Sequence, residues 1–214
     1  MRFRPLAECR LYTFVDTAYL RGRDPIDIAR QLCDGGSDLI QLRAKGSSLE
    51  EVRQLALQLL PIMSAADVRL VINDHPEIAS EIGAPCLHLG QEDFFDAGHQ
   101  QVEELPQKKQ GIEIGLSTHT PDQCARAVNA GADYVAIGPV FATDTKPLAV
   151  PVTLEYVRWA ASSVRLPWFA IGGINLETVE SVVQAGARRI CVVSAILNSR
   201  NITEACREFR RRID

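Results

Sequence analysis

Apolar residues gather into eight short runs along the chain: Leu11–Asp16, Asp38–Lys45, Arg69–Asp74, Cys86–Gln91, Glu113–Thr118, Tyr134–Phe141, Trp168–Gly173 and Arg189–Ile196. Their apolar character is nearly unbroken, as in YVAIGPVF and WFAIGG, where a strand with one wet face would alternate. That is the pattern of parallel strands covered on both faces. Between the runs the spacing turns helical. Asp24 is placed to cap a helix with Pro25 at its first position, a stripe of Ile26, Ala29 and Cys33, and a stop at Gly35–Gly36. Ser48 with Glu51 forms a capping box ahead of Leu49, Val52, Leu55, Ala56 and Leu59 on one face. A second box, Thr120 with Gln123, opens a helix that stops at Gly131; the design repeats from Asn175 to Gly186, and a last helix runs from Ile202 to Arg212.

Strand and helix alternate from end to end with no linker or shift in composition, which predicts a (β/α)8 TIM barrel, an α/β fold built as one domain over residues 1–214. An open, doubly wound sheet is the competing architecture, and the count of eight strands favours closure. With 46% apolar and 23% charged residues the chain can bury a large core. Its 23 basic and 27 acidic side chains leave a net charge of −4, without the basic excess of a general binder of nucleic acid or anionic membranes. Any anion must then be held by a local site. No run of apolar residues reaches membrane-spanning length, and Arg2, Arg4, Pro5 and Glu8 interrupt the first ten residues, so we expect neither a signal peptide nor a membrane span, and a cytoplasmic protein. The six cysteines lie far apart without a Cys-x-x-Cys pair, as expected for ordinary buried thiols.

In such a barrel the chemistry belongs at the C-terminal ends of the strands. Gln41, Arg43 and Lys45 alternate along the second strand, so all three are expected on the lumen side. The two cations call for an anionic ligand or an internal ion pair. Asp74 and Asp93 are expected at the ends of the neighbouring third and fourth strands. Two carboxylates there can hold Mg2+ beside phosphate oxygens, act as an acid and base, or cap loops. Thr143, Thr145 and Lys146 bring two hydroxyls and a cation into the long loop after the sixth strand. Gly172–Gly173, with Val193–Ser194, could present backbone amides to a phosphate. Two anion sites imply one phosphorylated and one diphosphorylated substrate, hence group transfer. Of the four histidines most are expected to be structural: His75, His99 and His119 lie in loops without metal-ligand spacing, His88 falls on the fourth strand on either face, and His119, near Ser117, is the candidate to reach substrate.

The segments QLRAK, IND, HLGQED, STH, GPVFATDTK, AIGGI and VVSAI, in this order over residues 11 to 197, closely resemble the thiamine-phosphate synthase family. The resemblance implies a magnesium-dependent (β/α)8 transferase that joins a hydroxymethylpyrimidine diphosphate to thiazole phosphate, or to its carboxylate with loss of CO2, and releases diphosphate. By position it implies that Gln41, Arg43, Lys45, Asn73, Ser117 and Lys146 contact the pyrimidine diphosphate, with Arg43, Lys45, Ser117 and Lys146 catalytic. It likewise implies Asp74 and Asp93 as Mg2+ ligands, and Thr143, Thr145, Gly173, Val193 and Ser194 around the thiazole phosphate. The implied mechanism is dissociative, through a pyrimidine methylene cation. Partners would be these small molecules; a homo-oligomer is compatible with the sequence. The chain departs from the family pattern at His75, where arginine is common, at Ala44, where an acid is common, and at Thr153, where a Gly-Leu-Glu segment usually begins. A thiazole tautomerase of the same barrel type and a non-catalytic binder of thiamine phosphate are the rival readings.

Overall fold

The computed structural model describes residues 3–143 and 150–214. Its first half runs β1 (Leu11–Asp16), α1 (Pro25–Asp34), β2 (Leu39–Arg43), α2 (Leu49–Ala65), β3 (Arg69–Asn73), α3 (Pro76–Ile82), β4 (Cys86–Gly90) and α4 (Gln91–Asp96). A short α5 (Pro106–Lys109) then leads to β5 (Glu113–Thr118), α6 (Pro121–Asn129), β6 (Tyr134–Ile137), α7 (Thr153–Ser163), β7 (Trp168–Ile171), α8 (Val179–Gln184), β8 (Ile190–Cys191), α9 (Ser194–Leu197) and α10 (Ile202–Ile213). The strands pair in parallel in chain order, and β8 closes on β1 through Leu11 with Ile190 and Tyr12 with Cys191. The predicted barrel is the observed one.

The caps explain where helices start. Ser48 Oγ accepts from Glu51 N at 3.3 Å while Glu51 Oε2 accepts from Ser48 N at 2.7 Å, the reciprocal box expected for α2. At α6 the box is shifted by one: Thr120 Oγ1 accepts from Gln123 N, but Gln123 Oε1 reaches back to His119 N at 2.7 Å. The helix expected from Asn175 begins only at Val179, because Asn175 Oδ1 accepts from Glu177 N and Thr178 N and holds a turn first.

Two strands end earlier than their apolar runs. Beyond Ile137 the chain bends toward the barrel mouth, although Val140 N and Phe141 N still donate to Ile171 and Gly172 carbonyls of the seventh strand and its continuation. Pro139 has no N–H with which to continue the ladder. Likewise β8 is two residues long, and Ser194 starts α9 instead of extending it. Apolar runs report burial: Gly138 to Val140 are buried without being strand, and beyond β8 so are Val192 and Ile196.

Leu, Ile and Val side chains fill the layer between barrel and helices, while Tyr12, Tyr134 and Phe169 meet edge to face inside the barrel. At the N-terminal end, buried Asp38 accepts from Arg4, Arg210 and the amides of Arg10 and Leu11, tying β1 to α10. Five of the six cysteines are buried and Cys33 is partly so, and all six are free thiols. No helix among the described residues is long and apolar enough to cross a membrane.

Candidate active site

A cavity of about 880 Å3, measured out to its open mouth, lies inside the barrel at the C-terminal ends of the strands. Tyr12, Phe14, Ala136, Ile171 and Cys191 give it apolar walls. Polar groups converge on it from two arcs. Gln41, Arg43, Asn73, His88 and Ser117 come from β2 to β5; Thr143, Gly173, Val193 and Ser194 come from the loops after β6, β7 and β8. An apolar cavity with few directed polar groups suits a flat, partly charged ligand.

On the first arc, Gln41 is 3% exposed, and its Nε2 donates to Tyr12 OH at 2.6 Å. Arg43 Nη1 donates to Asp16 Oδ2 at 2.8 Å, so the internal ion pair considered for this cation exists. One of its five N–H donors is used in that pair, and the cationic fork still faces the cavity. Asp16, fully buried at the end of β1, also caps the following turn through Ala18 N. It is a site residue that the strand ends quoted above omit, although its position as the acid closing the first run could have revealed it. His88, which the sequence leaves on either face of the fourth strand, lines the cavity, and its Nε2 lies 2.8 Å from Ser117 Oγ. His119 also lines the cavity, where its Nδ1 hydrogen-bonds to the Gly138 carbonyl.

Lys45 departs from the alternation expected of it. The strand ends at Arg43, Ala44 is buried, and Lys45 stands exposed in the turn before α2, away from the cavity lining. Thr145 and Lys146 lie outside the described residues.

Asp74 follows β3 directly, in the left-handed region at φ 61, and its Oδ2 accepts from Asn73 Nδ2 at 2.6 Å. Asp93 does not end a strand: it sits in the first turn of α4, its carboxylate folded against Gly90, where an added Cβ would lie 2.4 Å from Oδ2. Both acids are exposed, and among the described residues neither is paired with a cation. No group of three metal-ligating His, Cys, Asp or Glu side chains occurs among the described residues. The arrangement is therefore of two uncommitted carboxylates on adjacent strand–helix units.

On the second arc, Gly172 and Gly173 have φ of 103 and 64. A Cβ on Gly173 would lie 2.5 Å from the Ala142 carbonyl oxygen and 2.7 Å from Phe141 Cβ, so both conformation and space demand glycine. This brings the loop after β6 against the turn after β7. Among the described residues, the amides of Gly173, Ser194 and Ala195 donate to no protein acceptor.

The model of the family described as thiamine monophosphate synthase matches residues 11–196, a span that holds every residue of both arcs. The chain belongs to this family. The thiamine-phosphate synthase of Lawsonia intracellularis is 36% identical over 204 residues, covering 95% of this chain and 92% of the relative. That of Thermus thermophilus is 39% identical over 189 residues, 88% of each chain. Among solved structures, thiamine phosphate pyrophosphorylase from Pyrococcus furiosus superposes with a TM-score of 0.85 at 27% identity over 98% of each chain. 3-Hexulose-6-phosphate synthase, at 17% identity and a TM-score of 0.67, shares the fold alone.

Thr153, Ala44 and His75, the departures noted in the sequence, lie in different surroundings. Thr153 occupies φ 64, a conformation that glycine adopts without strain, at the position where the family pattern begins with glycine. Ala44 is buried, and His75 lies at the start of α3 with Nδ1 3.6 Å from Glu77.

Proposed function

We propose that the chain joins a hydroxymethylpyrimidine diphosphate to thiazole phosphate, releasing diphosphate and forming thiamine phosphate. The observation that carries this reading is one cavity with a cationic, hydroxyl-bearing arc on one side and, on the other, an arc of amides that donate to no acceptor among the described residues. The first suits a diphosphate, the second a monophosphate.

Gln41 and Asn73 orient the pyrimidine, while Arg43 and Ser117 hold the diphosphate from β2 and β5. Lys45, exposed in the turn before α2, and Lys146 are assigned to the same group. Gly173, Val193 and Ser194, with Thr143 and Thr145, take the thiazole phosphate. The C–O bond to the diphosphate breaks first and its electron pair leaves with the diphosphate; the thiazole nitrogen then gives its lone pair to the methylene carbon. Donors aimed at the departing oxygens stabilise charge that grows as this bond breaks. No general base is needed for that step.

The two exposed acids fit Mg2+, which favours one or two carboxylates completed by water and phosphate oxygens. Asp74 and Asp93 would hold it. When bound, it supplies neutralisation of the leaving diphosphate. Incubating the protein with both substrates and Mg2+, then oxidising and reading fluorescence, tests the reading: thiamine phosphate accumulates in proportion to enzyme. Absence of product at high enzyme, with both ligands shown to bind, would reduce the chain to a binding protein.

A further inference from the structure

A single run of hydrogen bonds crosses the barrel interior. Gln41 Nε2 meets Tyr12 OH at 2.6 Å, Tyr12 OH meets Tyr134 OH at 3.3 Å, Tyr134 OH meets His88 Nδ1 at 3.2 Å, and His88 Nε2 meets Ser117 Oγ at 2.8 Å. The polarity of this run follows from its first member. Gln41 Nε2 has only protons to offer, so the Tyr12 oxygen accepts. The Tyr12 proton then needs an acceptor, because this ring is 1% exposed, and the remaining neighbour of its hydroxyl among the described residues is Tyr134. Tyr134 in turn gives its proton to His88 Nδ1. That nitrogen must carry the lone pair, which puts the ring proton on Nε2, where it is donated to Ser117.

We propose that Tyr134 and His88 are positioning residues: they fix His88 as the Nε2–H tautomer and so leave the Ser117 hydroxyl proton to be donated into the cavity. This rests on the assignment of Ser117 to the diphosphate. An anionic oxygen only accepts, so a serine that spent its proton on histidine could not serve it; a serine that already accepts from histidine can. The opposite polarity, with Tyr134 donating to Tyr12, leaves the Tyr12 proton buried without a partner.

Two further features support a fixed relay. Burial pushes both phenols well above the ordinary tyrosine range, so each stays a donor. Room for the central ring is also built in: Gly115, paired with Tyr134 in the β5–β6 register, would carry a Cβ 2.1 Å from Tyr134 Cζ. Only a residue without a side chain lets that hydroxyl reach between Tyr12 and His88.

The test reads tautomer and kinetics separately. In protein labelled with 15N-histidine, a long-range proton–nitrogen correlation should show His88 protonated at Nε2 and bare at Nδ1 near neutral pH, the signal being assigned by its loss in His88→Gln. An Nδ1–H tautomer or an imidazolium would overturn the proposal, whether or not the protein makes thiamine phosphate. In the active enzyme, Tyr134→Phe keeps the ring and removes one donor. We expect kcat to fall about tenfold, the scale of lost support behind a site ligand, with KM for thiazole phosphate within about twofold. Adding Ser117→Ala to that variant should cost much less than Ser117→Ala in the parent. Unchanged kcat in Tyr134→Phe, or fully additive losses, would also overturn it.

Discussion

Arg43 reaches from the end of β2 to Asp16 at the end of β1, Nη1 to Oδ2 at 2.8 Å, and the acid is wholly buried. The pair anchors a guanidinium whose other face belongs to the cavity. Asp16→Ala would leave that guanidinium mostly buried without its counter-charge, which costs about 3 kcal/mol. Urea unfolding should show the midpoint fall accordingly, and product formation should fall with it. A loss below about 0.5 kcal/mol, within the range of an exposed pair, would mean the contact does not organise the site.

Asn73 and Asp74 are linked in the same way at the next strand end. Removing the amide with Asn73→Ala leaves the carboxylate in place but unoriented, and the Mg2+ concentration for half-maximal rate should rise about tenfold. Asp93→Ala should abolish metal-supported turnover while the far-ultraviolet circular dichroism stays that of the parent, since this acid is exposed on a short helix. Parental turnover and metal dependence in Asp93→Ala would remove it from the metal site.

Thr153 is the converse case, a local strain at a residue that does not line the cavity. A β-branched residue at φ 64 is held there against its preference, so Thr153→Gly should raise stability by about 1 kcal/mol. Thermal unfolding measures it. A lower melting temperature would show that the Thr153 Oγ1 contact to Glu155 N outweighs the strain.

Burial pushes the Cys9 and Cys206 thiols up to about 12, and Cys33 to about 11, from an ordinary value near 9. Their protonated forms are therefore favoured by folding. As pH rises past 9, the unfolded chain loses these protons while the folded chain keeps them, so stability declines from about pH 9 toward pH 12. Urea midpoints taken at pH 8 and pH 10 should differ, the second being lower. Equal midpoints would argue against thiol burial as a pH-linked term.

The barrel was legible in the sequence because parallel strands and capped helices leave different apolar periods, and because Ser48 with Glu51 and Asp24 with Pro25 signal helix starts locally. Apart from His88, the residues of both arcs were also legible as the ends of apolar runs. What escaped depended on where strands stop and on contacts across the barrel. Nothing near Lys45 in sequence announces that β2 stops at Arg43, since alternation continues in the letters after the strand has ended. Asp93 lost its place as a strand end because Gly90 admits the carboxylate and lets a helix start at Gln91. Nothing beside His88 in sequence marks its role, its partners Tyr134 and Ser117 being 46 and 29 residues away.

The division of one cavity into two arcs for two different anions is tested directly by Ser194→Asp, with calorimetric titration of each ligand alone. A carboxylate placed about 4 Å from the thiazole phosphate repels it by about 4 kcal/mol at an effective dielectric near 20. Thiazole phosphate binding should therefore weaken by more than about a hundredfold. Pyrimidine diphosphate with Mg2+ should bind as in the parent. An equal loss of both ligands, in a protein with unchanged circular dichroism, would mean that the two anions share one arc and that the division of the cavity is wrong.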